Sequence, residues 1–208
     1  MNLKYGEFDI LERELEALPP MHRVAFAAAC CERLFPHYDI YLRAAREDDW
    51  DGEDLFRVAL DEIWEFLAGK KVDVARFRQL YSDSDQSYPD YENVETPEAQ
   101  RAAGAILNTL ELCLDPSVQQ TISVAKEIHE TLFEYIDYLC QCEDEYSADI
   151  SHEELVEIVS NHPFTVREMA KQSEDLQRLR ETPTLTGEFL QWLRTSSKNG
   201  GKSLLDLS

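Results

Sequence analysis

Apolar positions along this chain recur at three- and four-residue steps, the period of one helix face, and no run of strands breaks the pattern. A first short helix is predicted from about Asp9 to Leu18, closed by Pro19-Pro20. A second, from about Pro20 to Phe35, places Val24, Ala27, Ala28, Cys31 and Leu34 on one face. Pro36 then either stops it or opens a third helix through Tyr38 and Leu42. Asp51 reads as the cap of the next helix, whose stripe is Phe56, Leu60, Ile63, Trp64 and Leu67 and whose end is marked by Gly69. A shorter helix around Val74 to Tyr81 leads into a polar loop of turn formers from Ser82 to Asp90.

Thr96-Pro97-Glu98 starts a helix carrying Ala99, Ala103, Ile106, Leu110 and Cys113, and Asp115-Pro116 repeats the same start signal. The helix behind it is expected to be the longest and to reach Cys142. Ser151-His152-Glu153-Glu154 is a capping box. Asn161-His162-Pro163 then separates its helix from one over about Thr165 to Arg180, and a last helix covers about Thr186 to Arg194. The pattern predicts an all-α, single-domain bundle of about eight to ten helices with one long central helix, spanning residues 1–195. Residues 196–208, with Asn199-Gly200-Gly201, read as a flexible tail.

The long helix has two distinct faces. Val118, Ile122, Ala125, His129, Leu132, Ile136 and Leu139 form a heptad-like seam for packing against other helices. On the adjoining face Glu127, Glu130, Glu134 and Asp137 follow at three- and four-residue steps. Like charges at that spacing repel by roughly 0.2–0.5 kcal/mol per pair. The acids continue through Glu143, Asp144, Glu145, Asp149, Glu153, Glu154 and Glu157, and from Glu127 to Val166 there is no Lys or Arg. Solvent ions, a partner, or bases elsewhere in the chain must offset the charge; Arg167, Lys171, Arg178 and Arg180 are the nearest intramolecular candidates.

Composition sharpens this picture. The 208 residues carry a net charge of −22, with seven Lys against thirteen Arg, and 43% are apolar. That is enough for a sizeable core, while the charge excludes direct nucleic-acid binding and disfavours anionic membranes. Five cysteines (Cys30, Cys31, Cys113, Cys140 and Cys142), odd in number and without a Cys-x-x-Cys, indicate neither a disulfide framework nor a zinc ribbon. The amino terminus lacks an apolar signal core and no stretch approaches a membrane span, so a reducing cytoplasm is the expected location.

Signals for chemistry are weak. Asp83, Asp85, Asp90, Glu92 and Glu95 lie near calcium-loop spacing, but Tyr88 stands where the tight turn needs Gly and Val94 where the loop needs Glu. There is no phosphate-binding glycine motif and no Gly-x-Ser-x-Gly turn. Cys31 has no positioned base, since Arg33 lies on another helical face. Cys140 and Cys142 could join His152 or His162 around zinc only through a strained Cys-x-Cys. His129 falls inside the apolar seam, and Lys126 stands where a di-iron bundle would need Glu. No metal or cofactor is expected; the remaining candidate pocket would combine His129, Glu32 and Arg33.

The segment Phe26-Ala27-Ala28-Ala29-Cys30-Cys31-Glu32-Arg33-Leu34-Phe35-Pro36-His37-Tyr38 resembles the most recognisable stretch of the YjaG-like bacterial proteins, a family of unknown function (domain of unknown function 416). Phe56 with Leu60-Asp61-Glu62-Ile63-Trp64-Glu65 is similar to a second block, and Pro97-Glu98-Ala99-Gln100 and Asn161-His162-Pro163 with Glu168 and Gln172 to later ones. The resemblance is strongest from Pro20 to Leu67. It implies an all-α fold and a cytoplasmic bacterial protein, and brings no catalytic residues. Glu32 and Arg33 are its polar exceptions, suited to a structural ion pair with residues such as Asp61 or Glu65.

These readings converge on a non-enzymatic acidic interaction protein. Its face of Glu127, Glu130, Glu134, Asp137, Glu143, Asp144 and Glu145 would dock a basic protein partner. The most concrete form is an immunity or antitoxin-type protein that masks a basic toxin domain, with steering by the clustered carboxylates. The alternatives are a small enzyme or metal-binding protein using the His129, Glu32 and Arg33 pocket, and a self-associating housekeeping factor. The oligomeric state is open.

Overall fold

The computed structural model describes residues 2–47, 54–71, 74–86, 96–142 and 150–206. Asp51, the loop acids Asp90, Glu92 and Glu95, and Glu143, Asp144 and Glu145 lie outside them. Among the described residues the fold is all α, with nine helices in chain order. They are α1 (Phe8–Glu16), α2 (Pro20–Glu47), α3 (Leu55–Leu67), α4 (Val74–Gln86), α5 (Thr96–Leu114), α6 (Val118–Cys142), α7 (His152–Asn161), α8 (Pro163–Glu181) and α9 (Gly187–Ser197).

The central helix is α2, not the expected α6: it is longer, at 28 residues against 25, and packs against α3, α5, α6, α8 and α9. The sequence pattern places a stop or a new start at Pro36, yet one helix runs through it. Proline there leaves the Glu32 carbonyl without its amide donor, at a cost of ~3 kcal/mol. Burial offsets that cost, since nearly every residue from Val24 to Tyr38 is enclosed. The single apolar face predicted for this helix is therefore too narrow, because Ala25, Phe26, Ala29 and Cys30 are buried as completely as Val24 and Ala28. Alanines are the reason it fits: Ala25, Ala28 and Ala29 on α2 and Ala99, Ala102, Ala103 and Ala105 on α5 are all fully buried. Small side chains of this kind let two helix axes approach closely.

Local signals fix most helix ends. Asp54, rather than Asp51, caps α3 by accepting from the Arg57 amide at 2.9 Å. Ser151 and Glu154 close the expected capping box of α7, Thr186 caps α9, and the His162 side chain accepts from the Phe164 amide at the start of α8. The chain beyond Ser196, read as a flexible tail, is packed down as far as Asp206. Asn199, Gly200 and Gly201 all have positive φ, which reverses the chain after α9. Leu204 and Leu205 return to the core at 4% and 2% exposure, and Arg167 holds the segment through the Leu204 carbonyl and the Asp206 carboxylate.

Candidate functional site

Glu32 and Arg33 sit side by side on the central helix, both buried, and point into two different ionic clusters joined by α9. Glu32 accepts from Arg57 of α3 (3.0 and 3.2 Å) and from Arg194 of α9 (2.8 Å). Asp61 receives the same two guanidiniums. Burial opposes ionisation of Asp61, but Arg57 and Arg194 outweigh it and hold its carboxyl below the usual range. Asp61 and Glu65, expected as ion-pair partners for the Glu32-Arg33 pair, do not meet Arg33: Asp61 shares Arg57 and Arg194 with Glu32, and Glu65 pairs with Lys70.

Arg33 faces the other way. Its Nε donates to Glu168 at 2.9 Å and its Nη1 to Asp175 at 2.8 Å and Ser197 at 3.3 Å, while Nη2 meets the Cys30 sulfur at 3.3 Å. Lys171 pairs with Asp175 and donates to Ser196 of α9 at 3.0 Å. Burial disfavours charge on Arg33, yet Glu168 and Asp175 more than offset it and keep it protonated. At Glu168 burial is the stronger influence: it pushes the carboxyl above its ordinary value despite Arg33 and the Gln172 amide. A cleft of about 90 Å³ opens onto this cluster, lined by Arg33, Arg167, Glu168, Lys171, Ser196, Ser197, Asn199 and Leu204.

His129 belongs to neither cluster. Its ring stacks on Tyr5 (4.8 Å between centroids) and tilts against Phe8 (4.7 Å), and the Tyr5 hydroxyl donates to its backbone carbonyl at 3.3 Å. Neither ring nitrogen has a hydrogen-bond partner, and burial lowers its pKa to about 4. The expected pocket of His129, Glu32 and Arg33 is therefore not assembled: no hydrogen bond, ion pair or ring contact joins the histidine to the other two. The seam position pulls His129 under α1, while the other two face α3, α8 and α9.

On α6, Glu130 and Glu134 are exposed and Glu127 and Asp137 half-buried. Arg101 of α5 bridges Glu127 (3.4 Å) and Glu134. Arg101 is the cation that reasoning along the sequence missed. The four bases expected there go elsewhere: Arg167 to Asp206, Lys171 to Glu174 and Asp175, Arg178 over the Trp192 ring, and Arg180 to Glu14. Glu130 and Asp137 form no ion pair among the described residues, although Arg101 still feels the Glu130 charge at longer range; Asp137 accepts from Gln141. Lys126 lies one turn before Glu130, but its ammonium sits over Phe8 at 5.3 Å. Against Arg101 and Lys126 the four carboxylates keep an excess of two negative charges.

The architecture has known counterparts. A crystal structure at 1.91 Å of a DUF416 family protein from Shewanella baltica OS155 superposes with a TM-score of 0.80 over 95% of this chain and 97% of that one, at 22% identity. The family model described as "Protein of unknown function (DUF416)" matches residues 10–208. The chain belongs to this family. Among DUF416 relatives, the uncharacterized protein YjaG of Escherichia coli (strain K12) is 25% identical over 189 residues, 91% of each chain. YjaG of Salmonella typhimurium (strain LT2) is 23% identical over 194 residues, 93% of this chain and 94% of that one.

Other candidate chemistry in this DUF416 chain stays dispersed. Among the described residues no group of three or more His, Cys, Asp or Glu side chains is placed to hold a metal, and no helix is long and apolar enough to cross a membrane. Cys31 lies fully buried against the Thr109 hydroxyl at 3.2 Å, and burial pushes its thiol up to about 12, the opposite of an activated nucleophile. The cysteines are free, and Cys140 is buried while Cys142 is exposed.

Proposed function

We propose that this protein is a non-catalytic binding protein whose acidic α6 face docks a basic protein partner. In its most concrete form it is an immunity or antitoxin-type protein that masks a basic toxin domain. The observation that supports this reading is the state of Glu130 and Asp137: among the described residues neither has an ion pair, and the one arginine that reaches this face bridges Glu127 and Glu134 and meets Glu130 only at longer range. A face that only needed internal neutralisation would place a cation by each acid. Unscreened carboxylates at one-turn spacing speed encounter with a cationic surface and lose that effect within a Debye length of ~8 Å at physiological salt.

The test is charge reversal at the two positions without an ion pair, Glu130→Lys with Asp137→Lys, in association kinetics against a cationic protein ligand. The expected result is association slowed at least tenfold at low salt, with a flattened dependence on ionic strength and a thermal midpoint no lower than that of the unmodified protein, because the reversal relieves repulsion along α6. Kinetics and salt slope equal to those of the unmodified protein would remove the docking role from this face.

A further inference from the structure

We infer that the cleft beside Arg33 binds a small oxyanion, a short carboxylate or inorganic phosphate, held by Arg33, Arg167 and Ser197. This inference is independent of the acidic α6 face. The cleft's volume of about 90 Å³ is several times the ~10–15 Å³ that one water requires. It thus has room for a compact ligand the size of acetate or phosphate.

The hydrogen-bond inventory sets the polarity of the ligand. Arg33 spends Nε on Glu168, both Nη1 protons on Asp175 and Ser197, and one Nη2 proton on the weak acceptor sulfur of Cys30, which leaves one Nη2 proton over. The Ser197 hydroxyl accepts from Arg33 and keeps its own proton to give. Arg167 uses one Nη1 proton on Asp206 and one Nη2 proton on the Leu204 carbonyl, and its Nε proton and one proton on each Nη remain. Against these five spare protons stand two side-chain acceptors in the lining, Glu168 Oε2, since both hydrogen bonds to that carboxylate end on Oε1, and Asn199 Oδ1, since its hydrogen bonds use Nδ2. A recess with this balance selects a compact ligand rich in acceptors. The −22 charge of the chain does not prevent it, because acids more than a Debye length of ~8 Å away are screened.

Glu168 decides the pH dependence. The charged groups facing it are Arg33 from α2 and Lys171 and Asp175 from its own helix, with Arg167 and Asp206 at the mouth; Cys30 from α2 is a thiol kept neutral by burial. Burial moves the Glu168 carboxyl above its ordinary value, so an anion beside it moves it further in the same direction and is repelled less where that carboxyl takes up a proton. Affinity falls as pH rises.

Isothermal titration of the full chain with inorganic phosphate, acetate and neutral acetamide tests the site. Saturable binding of one or both anions and none of acetamide is expected, and the tighter anion identifies the ligand's source. Losing a charge-assisted donor weakens binding about tenfold or more, expected for Arg167→Gln, which alters an exposed side chain at a smaller cost in stability than truncating Leu205, and for Ser197→Ala. Acetate, whose charge does not change in this range, should bind more tightly at about pH 6 than at about pH 8, and Glu168→Gln should abolish that difference. The inference is overturned if neither anion binds saturably, or if Arg167→Gln binds as the unmodified protein does.

Discussion

Arg33 donates to Asp175 at 2.8 Å across the contact between α2 and α8, with the arginine side chain 5% and the aspartate 0% exposed. Two buried carboxylates, Glu168 and Asp175, rely on that one guanidinium, and only Asp175 has a second cation in Lys171. Removing one partner of a buried ion pair costs about 3–5 kcal/mol, because the remaining charge stays desolvated. Arg33→Met is therefore expected to lose that much in urea denaturation. Adding Glu168→Gln to Arg33→Met should recover at least about 1 kcal/mol by removing the carboxylate left alone. A loss under about 1 kcal/mol for Arg33→Met would show that the cluster is not a structural element.

Arg101 plays a different part, since it and its partners are only half enclosed. Pairs of this kind contribute little, about 0–1 kcal/mol each. Without Arg101, though, Glu127, Glu130 and Glu134 repel along α6 at one-turn spacing. Arg101→Gln is expected to lower stability by about 1–2 kcal/mol at low salt and by clearly less in about 0.5 M sodium chloride, where the Debye length shrinks toward 3 Å. Thermal melts at the two salt concentrations separate this from a packing defect, whose cost salt would not relieve.

Leu205 carries the correction at the carboxyl terminus. A side chain at 2% exposure that is truncated to alanine costs about 2–5 kcal/mol when its surroundings are fixed. A mobile tail would register within about 0.5 kcal/mol. Leu205→Ala measured by denaturant unfolding is expected in the higher range, and Arg167→Gln should lower it by less, because the exposed tie to Asp206 is the weaker part of the anchorage.

The helices were legible because each carries its own local marks: the Ser151–Glu154 box, Pro97 and Pro163 at helix starts, and apolar steps that continue over several turns. The seam on α6 also held, with Ile122, Ala125, His129, Leu132 and Ile136 all buried. What failed depends on tertiary neighbours. Pro36 breaks an isolated helix, but here the surrounding core holds α2 continuous. Asn199-Gly200-Gly201 has the composition of a loose end, and only the return of Leu204 and Leu205 makes it a turn. Arg101 lies 26 residues before Glu127, so nothing in local spacing links the two. Glu32 and Arg33 could be singled out as polar residues in an apolar helix, but their partners on α3, α8 and α9 are more than twenty residues away and carry no joint pattern. His129 could be placed in the core but not under Tyr5 and Phe8, which lie over a hundred residues earlier.

His37 and His129 give the fold a definite response to acid. Both are buried and unpaired at a ring nitrogen, and burial lowers each from its ordinary value of 6.5 to about 4. The folded pKa lies below the unfolded one, so on acidification the unfolded chain takes up the proton first. The stability from the neutral imidazoles is complete above about pH 6.5, declines as pH falls toward 4, and is flat again once the folded protein is protonated too. A difference of this size corresponds to at most about 3 kcal/mol per histidine. Glu168, Asp54 and Glu127, whose carboxyls are raised by burial, give the opposite slope at the acid end, so the readout must be the difference between the protein and a variant. His129→Phe keeps a ring between Tyr5 and Phe8 and removes two unsatisfied nitrogens. It is expected to be at least as stable as the unmodified protein at about pH 7 and to pull ahead steadily down to about pH 4.5 in urea titrations at fixed ionic strength. If the two proteins lose stability in parallel over that interval, His129 is not taking up the proton.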